Sequence, residues 1–180
     1  MNQSKIATRY AKAAFEIALE KDGHVRLRND INTLSSVLIE NPNLSEYLNN
    51  TVISNENKRQ TIGELFSDVF SPLTMDFIHL VINNDREKHI PAMCRQIEKL
   101  YKQHENIYSL NLSTAFELDD KVKGKISNVV KKAMDATKIE MEENIDESII
   151  GGFILRTEEF MYDASLKNQL AKIKQRLTDK

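Results

Sequence analysis

The residues of this 180-residue sequence whose types could do chemistry are four histidines, one cysteine, two adjacent glycines and a few neighbouring carboxylates. His24, His79, His89 and His104 are spread over three helical segments, and none shows the His-Glu-x-x-His or similar spacing that brings ligands to one metal ion. Cys94 lies inside a helical apolar pattern, "HIPAMCRQIEKLY", where a small core side chain is expected. As the sole cysteine it excludes an internal disulfide, a Cys-x-x-Cys pair and a cysteine zinc cluster. The pairs in "MEEN" and "TEEF" sit in strand-like stretches. Neighbours there point to opposite faces, so neither makes an acid/base couple by itself. Gly151-Gly152 lacks the spacing of a P-loop or a dinucleotide site and is followed by a strand pattern rather than a helix. At a strand start, glycine serves a bulge or the close approach of another backbone. Asp163 and Ser165 precede a helix and suit capping. A Ser/Asp nucleophile system would also need a histidine, and none follows His104. No catalytic residue, metal ligand or cofactor site is expected.

The elements that carry these residues divide the chain in two. Residues 1–105 hold only Gly23 and Gly63 and are patterned helically almost throughout. The expected helices run from about Ser4 to Asp22, with Gly23 in the stop position, and from about His24 to Glu40, ending ahead of Pro42. A short third covers "LSEYLNN". The fourth opens at Ser54 as cap and turns Ile62, Leu65, Phe66 and Val69 toward a core. A fifth starts at Pro72, and a sixth covers "REKHIPAMCRQIEKLYKQH" with Pro91 in its first turn or at a kink. The fold class is therefore mainly α: an N-terminal six-helix bundle followed by a small α/β domain over residues 106–180. That second domain reads strand, helix, strand, strand, strand, helix. Its first strand alternates Tyr108, Leu110, Leu112 and Thr114 against Ile107, Ser109, Asn111 and Ser113. The following helix spaces Val122, Ile126, Val129, Val130 and Ala133 inward. The last helix repeats Leu166, Leu170, Ile173 and Leu177, read as packing on the sheet, with Lys167, Lys172, Lys174, Arg176 and Lys180 on the remainder.

Bulk composition narrows the function classes. The chain is 41% hydrophobic and 29% charged, with a mean hydropathy of -0.46 and a net charge of -2, as a soluble globular protein would be. Residues 1–105 carry 13 Lys and Arg against 14 Asp and Glu, so neither half offers the basic field that nucleic acid requires. No signal-peptide pattern and no apolar run of about 18 to 20 residues is present, so an intracellular chain that does not cross a membrane is expected.

The first helix carries the most information. Ile6, Tyr10, Ala13 and Ile17 share one line; Ala7, Ala11, Ala14 and Ala18 lie beside it, and Phe15 and Leu19 extend the arc. The apolar arc then covers roughly 240°, far more than the stripe that faces one core. Either the other helices close over its second face or a partner helix does, and the alanines would let two helix axes come close. "DFIHLVINN" repeats the pattern with Phe77, Ile78, Leu80, Val81 and Ile82. Periodicity alone leaves both readings open, an external groove for an amphipathic helix and a closed core.

Two stretches resemble a known family. "IATRYAKAAFEIA" and "IDESIIGGFILRTEEFMYDASLKNQLAKIKQRL" are similar to the delta subunit of F-type ATP synthases, the family of the oligomycin-sensitivity-conferring protein. The N-terminal Arg-x-Tyr-Ala-Lys-Ala-x-Phe motif fits Arg9, Tyr10, Ala11, Lys12, Ala13 and Phe15, and "INNDREKHIPAM" fits the turn between the fifth and sixth helices. The C-terminal signature fits Ile145, Asp146, Ile149, Gly151, Gly152, Arg156, Asp163, Ser165 and Leu166.

The resemblance implies a non-catalytic stator subunit of the peripheral stalk, without cofactor. It would join the catalytic head to the membrane sector at the cytoplasmic face of a bacterial inner membrane. A groove formed by Ile6, Tyr10, Ala13, Ala14, Ile17, Phe77, Leu80, Val81 and Asn84 would receive the N-terminal helix of an alpha subunit. The C-terminal domain would meet the ends of the b-subunit helices. Glu158-Glu159 departs from the family's common Gly-Asp turn, so a different turn is expected there, and Ala164 replaces a common glycine. Two other classes compete: a generic helical adaptor binding an amphipathic helix, and a small enzyme with a polar cluster near Gly151 and Gly152.

Overall fold

A computed structural model describes residues 3–157 and 160–178, so the turn at Glu158-Glu159 lies outside the described residues. The chain separates into two compact units, Met1–Tyr101 and Lys102–Lys180. The architecture is mainly helical with a small C-terminal sheet, as the periodicities require.

Before the sheet come α1 (Gln3–Glu20), α2 (His24–Glu40), α3 (Pro42–Asn49), α4 (Asn55–Phe66), α5 (Pro72–Asn83) and α6 (Ile90–His104), with one turn of 3-10 helix at Glu87–His89. Local chemistry sets the ends. Ser54 Oγ accepts the Asn57 amide at 3.3 Å and Ser71 Oγ accepts that of Thr74 at 3.3 Å, while Pro42 and Pro72 occupy first-turn positions that need no amide hydrogen. Pro91 is the second residue of α6 and lies in its first turn. Leu27, Ile31, Leu34, Ile62, Ile82 and Ile97 are fully buried, each contributing about 1.5–3 kcal/mol of burial. Asp30, itself buried, accepts the Ser71 amide and the Thr74 hydroxyl, each at 2.8 Å, and so pins the start of α5 onto α2.

Two expectations for this unit are corrected. Ile62 and Phe66 face the core, but Leu65, within α4, and Val69, in the turn beyond its end at Phe66, are about half exposed. The stop after α1 is Asp22 rather than Gly23. Asp22 takes φ 51 and donates to Leu19 O at 3.1 Å, and Gly23, at φ -104, donates to Ala18 O at 2.7 Å. That is the double hydrogen bond of a helix end whose left-handed residue is normally glycine. Asp22→Gly is therefore expected to raise stability by about 0.5–1 kcal/mol. A denaturation midpoint that stays put or falls would refute this geometry.

The second unit contains β1 (Ile107–Thr114), α7 (Asp120–Ala133), β2 (Lys138–Ile145), β3 (Phe153–Arg156), β4 (Met161–Asp163) and α8 (Leu166–Thr178). Strand order is β2-β1-β3-β4. The first pair is parallel, Ile107 opposite Lys138 through Thr114 opposite Ile145, with α7 as the crossover; β3 and β4 add antiparallel. The alternation of β1 is the one expected, with Leu110, Leu112 and Thr114 buried and Ser109 and Asn111 exposed. The helices differ from expectation. On α7, Val130 is buried and Ile126 packs beside it, but Val122, Val129 and Ala133 are exposed. On α8, Leu166, Leu170 and Ile173 are about half exposed, and none belongs to the core beneath the sheet. The heptad-like spacing was there; the sheet surface to bury it was not, since α8 packs mainly on the turn at Glu147–Ile149.

Candidate partner-binding cleft

Ala13 and Ala14 make a low surface on α1, and the Asp30 anchor fixes where α5 begins. Between the two helices lies an open cleft of about 530 Å³, lined on α1 by Arg9, Tyr10, Ala13, Ala14 and Ile17, just beyond it by Lys21, and on α5 by Leu73, Asp76, Phe77 and Leu80. The volume falls within the roughly 300–1,000 Å³ of ordinary ligand sites. Ala14 and Phe77 form the buried floor, and Tyr10 is half-buried against the core. At the mouth, Ile17 is 46% and Leu80 52% exposed, and no described residue covers them. Large apolar side chains gathered around a concave surface are the kind of patch that a protein, a membrane or a ligand covers. Of the two readings left open by the 240° arc, the core takes Ala7, Ala11, Phe15 and Ala18 and leaves the face of Ala13 and Ile17 uncovered.

Six of the nine groove residues are brought together here: Tyr10, Ala13, Ala14, Ile17, Phe77 and Leu80. Three are not. Ile6 is half-buried and packs on the core, Val81 is fully buried within it, and Asn84 caps the end of α5, donating from Nδ2 to Leu80 O at 2.7 Å. Val81 is turned inward because it follows Phe77 and Ile78 by one helical turn, on the side of α5 that faces the core. Arg9, Lys21, Leu73 and Asp76 were missed. The signal was present: Arg9 precedes Ala13 by four residues, Lys21 follows Ile17 by four, and Leu73 precedes Phe77 by four.

The C-terminal signature residues form a backbone junction. Gly151 O accepts the Leu166 amide and Phe153 O that of Ala164, both at 2.9 Å. Ser165, buried, caps α8 through its Oγ on the Asn168 amide at 3.1 Å, and Asp163 Oδ1 accepts the Ser165 amide at 2.9 Å. The hydrogen bonds from Ser165 hold the half-buried Asp163 carboxyl below its usual pKa. The glycine pair lies in the bend just ahead of β3, where the close approach expected of it occurs. Arg156 stands apart from this junction, at the far end of β3 opposite Met161. Nothing in the junction points to reaction chemistry, and Cys94, with burial pushing its thiol up to about 12, has no accessible thiolate.

These features define a two-part α and α/β protein organised around surfaces rather than a reaction centre. A family model for the ATP synthase delta (OSCP) subunit matches residues 6–177. The ATP synthase subunit delta of Flavobacterium johnsoniae is 31% identical over 179 residues, covering 99% of this chain and 100% of that protein. The subunit delta of Latilactobacillus sakei is 30% identical over 174 residues, covering 97% and 96%. Among solved structures, a chain in the cryo-EM composite model of the Toxoplasma gondii mitochondrial ATP synthase hexamer superposes with a TM-score of 0.73 at 18% identity, over 96% of this chain and 97% of that one, which is a likeness of fold. The chain belongs to the ATP synthase delta (OSCP) subunit family.

Proposed function

We propose that the cleft between α1 and α5 seats the N-terminal helix of the ATP synthase alpha subunit, and that the second unit meets the ends of the b-subunit helices. As a member of its family the chain is a non-catalytic subunit of the peripheral stalk, associated with the membrane through the complex. In this reading α1 to α6 act as a six-helix bundle over residues 1–105 that grips the head, residues 106–180 form the stalk-facing domain, and both work at the cytoplasmic face of a bacterial inner membrane. The observation that carries it is the uncovered apolar cleft itself, with Ile17 and Leu80 at its mouth.

The mechanism is mechanical. A turning central shaft exerts torque on the head, and catalysis is coupled to proton flow only while the head is kept from following. A stator contact must therefore dissociate slowly. Burial of an apolar stripe supplies about 25 cal/mol per Å² before the cost of ordering the helix is subtracted.

Calorimetry of the full chain with a synthetic alpha-subunit N-terminal peptide tests the reading. Binding is expected, and no heat at micromolar concentration would leave only the generic adaptor. Tyr10→Ala should weaken the peptide, but Tyr10 also packs on the core, so the half-exposed residues make the cleaner probes. Ile17→Glu or Leu80→Glu is expected to weaken binding by about tenfold or more while the melt changes by about 0.5 kcal/mol or less, as for an ordinary surface substitution.

A further inference from the structure

The walls of the cleft differ in charge. Arg9 and Lys21 stand on the α1 side and Asp76 on the α5 side, all three exposed. Among the described residues, Arg9 lies over the Tyr10 ring at 5.7 Å and forms no ion pair, and neither Lys21 nor Asp76 has a charged partner. The nearby acid Glu16 is held by Lys12 at 3.7 Å, and Glu20 does not line the cleft. Three charges without partners thus border an apolar floor that also lacks one.

We propose that the cleft is selective for the charge pattern of its occupant. It takes an amphipathic helix of another chain that carries carboxylates on the flank turned to α1 and a Lys or Arg on the flank turned to Asp76. This rests on the reading of the cleft as the seat of a helix and adds which helix fits. Arg9 and Lys21 are twelve residues apart, about 18 Å along α1 at 1.5 Å per residue. Two carboxylates about eleven residues apart in the occupant fall on one flank and span nearly that distance. Leu73, Phe77 and Leu80 meet its apolar stripe, and the opposed signs of the two walls fix which way round the helix lies, since rotating it to exchange its flanks sets like charges together.

The test uses the full chain, the native alpha-subunit peptide and two designed helical peptides of about 20 residues with the same apolar stripe. The first carries two glutamates about eleven positions apart on one flank and lysines on the other. The second has lysines on both flanks, so that neither direction of binding sets carboxylates against Arg9 and Lys21. Fluorescence anisotropy at about 20 mM and about 500 mM salt is expected to show the first peptide binding three- to tenfold more tightly at low salt, with the difference shrinking at high salt. Arg9→Glu combined with Lys21→Glu reverses the preference, and Asp76→Lys alone weakens the first peptide. Equal binding of the two designed peptides, or a preference that survives the double variant, overturns the proposal even while the native peptide binds. Failure of all three peptides to bind overturns the cleft reading and this one with it.

Discussion

Gly152→Ala is expected to destabilise the second unit by more than about 3 kcal/mol, a large fraction of the roughly 5–15 kcal/mol by which native domains are stable. A Cβ at Gly152 would stand 2.3 Å from Ala164 O and 3.2 Å from both Ala164 C and Ser165 Cα, and the residue has φ 76. The obstruction is backbone, and that backbone is held on both sides: Ala164 by its amide on Phe153 O, Leu166 by its amide on Gly151 O, and Ser165 by the Asp163 carboxylate. Relief means breaking the junction between β3, β4 and α8. Hydrogen exchange should show protection lost in those elements while α2, α5 and α6 keep theirs. Gly151→Ala is the internal control, since its Cβ would meet Leu166 Cδ1 at 2.8 Å, the tip of a flexible and half-exposed side chain, and about 1 kcal/mol is expected. If both variants cost the same, the close approach at Gly152 is not what holds the unit together.

Lys58→Met comes next in size, with an expected loss of about 3–5 kcal/mol. Lys58 Nζ and Glu87 Oε1 are 2.7 Å apart, and their side chains are 5% and 6% exposed. The pair ties α4 to the turn between α5 and α6, a link continued on the surface by Asn55 Nδ2 on Asp85 Oδ1 at 3.0 Å. Removing the lysine leaves a carboxylate buried without its counter-charge. Removing both charges does not, so Lys58→Met with Glu87→Leu is expected to regain most of the loss. A denaturant double-mutant cycle measures the coupling. A single substitution costing only about 0.5 kcal/mol, the level of a surface change, would mean that Glu87 reaches water.

How much of this was legible in the sequence depended on which interaction decided each position. Helix and strand identities follow from period, and so does the inward face of β1, because Leu110 and Leu112 meet a sheet that the same alternation builds. Helix caps follow from Ser54 and Ser71, whose side chains act locally. Burial was harder wherever it depended on what lies opposite. Leu65 and Val69 continue the spacing of Ile62 and Phe66, but Leu65 is half exposed within α4 and the helix ends before Val69. Leu166, Leu170 and Ile173 have a core pattern without a core to enter. Asp22 took the left-handed position that Gly23 advertised, a shift of one residue that composition does not reveal. The cleft was half visible. The apolar residues Tyr10, Ala13, Ile17 and Leu80 announce it by excess hydrophobicity, whereas Val81 fits the same stripe and is buried, and Arg9, Lys21 and Asp76 look like ordinary surface charge until the walls are assembled.

The acidic strand β2 has a consequence for the subunit before assembly. Among the described residues it is an outer strand paired with β1 alone, and such an edge is the kind on which chains add to one another and aggregate. Along it run Glu140, Glu142 and Glu143, with Lys102 and Lys138 on Glu140 and Lys123 on Glu143. A second copy docking edge to edge would have to desolvate or rearrange these charged side chains, the way in which charge blunts an edge strand. Charge on the outer strand thus opposes extension of the sheet, a device that matters most while the subunit is not yet built into a larger machine.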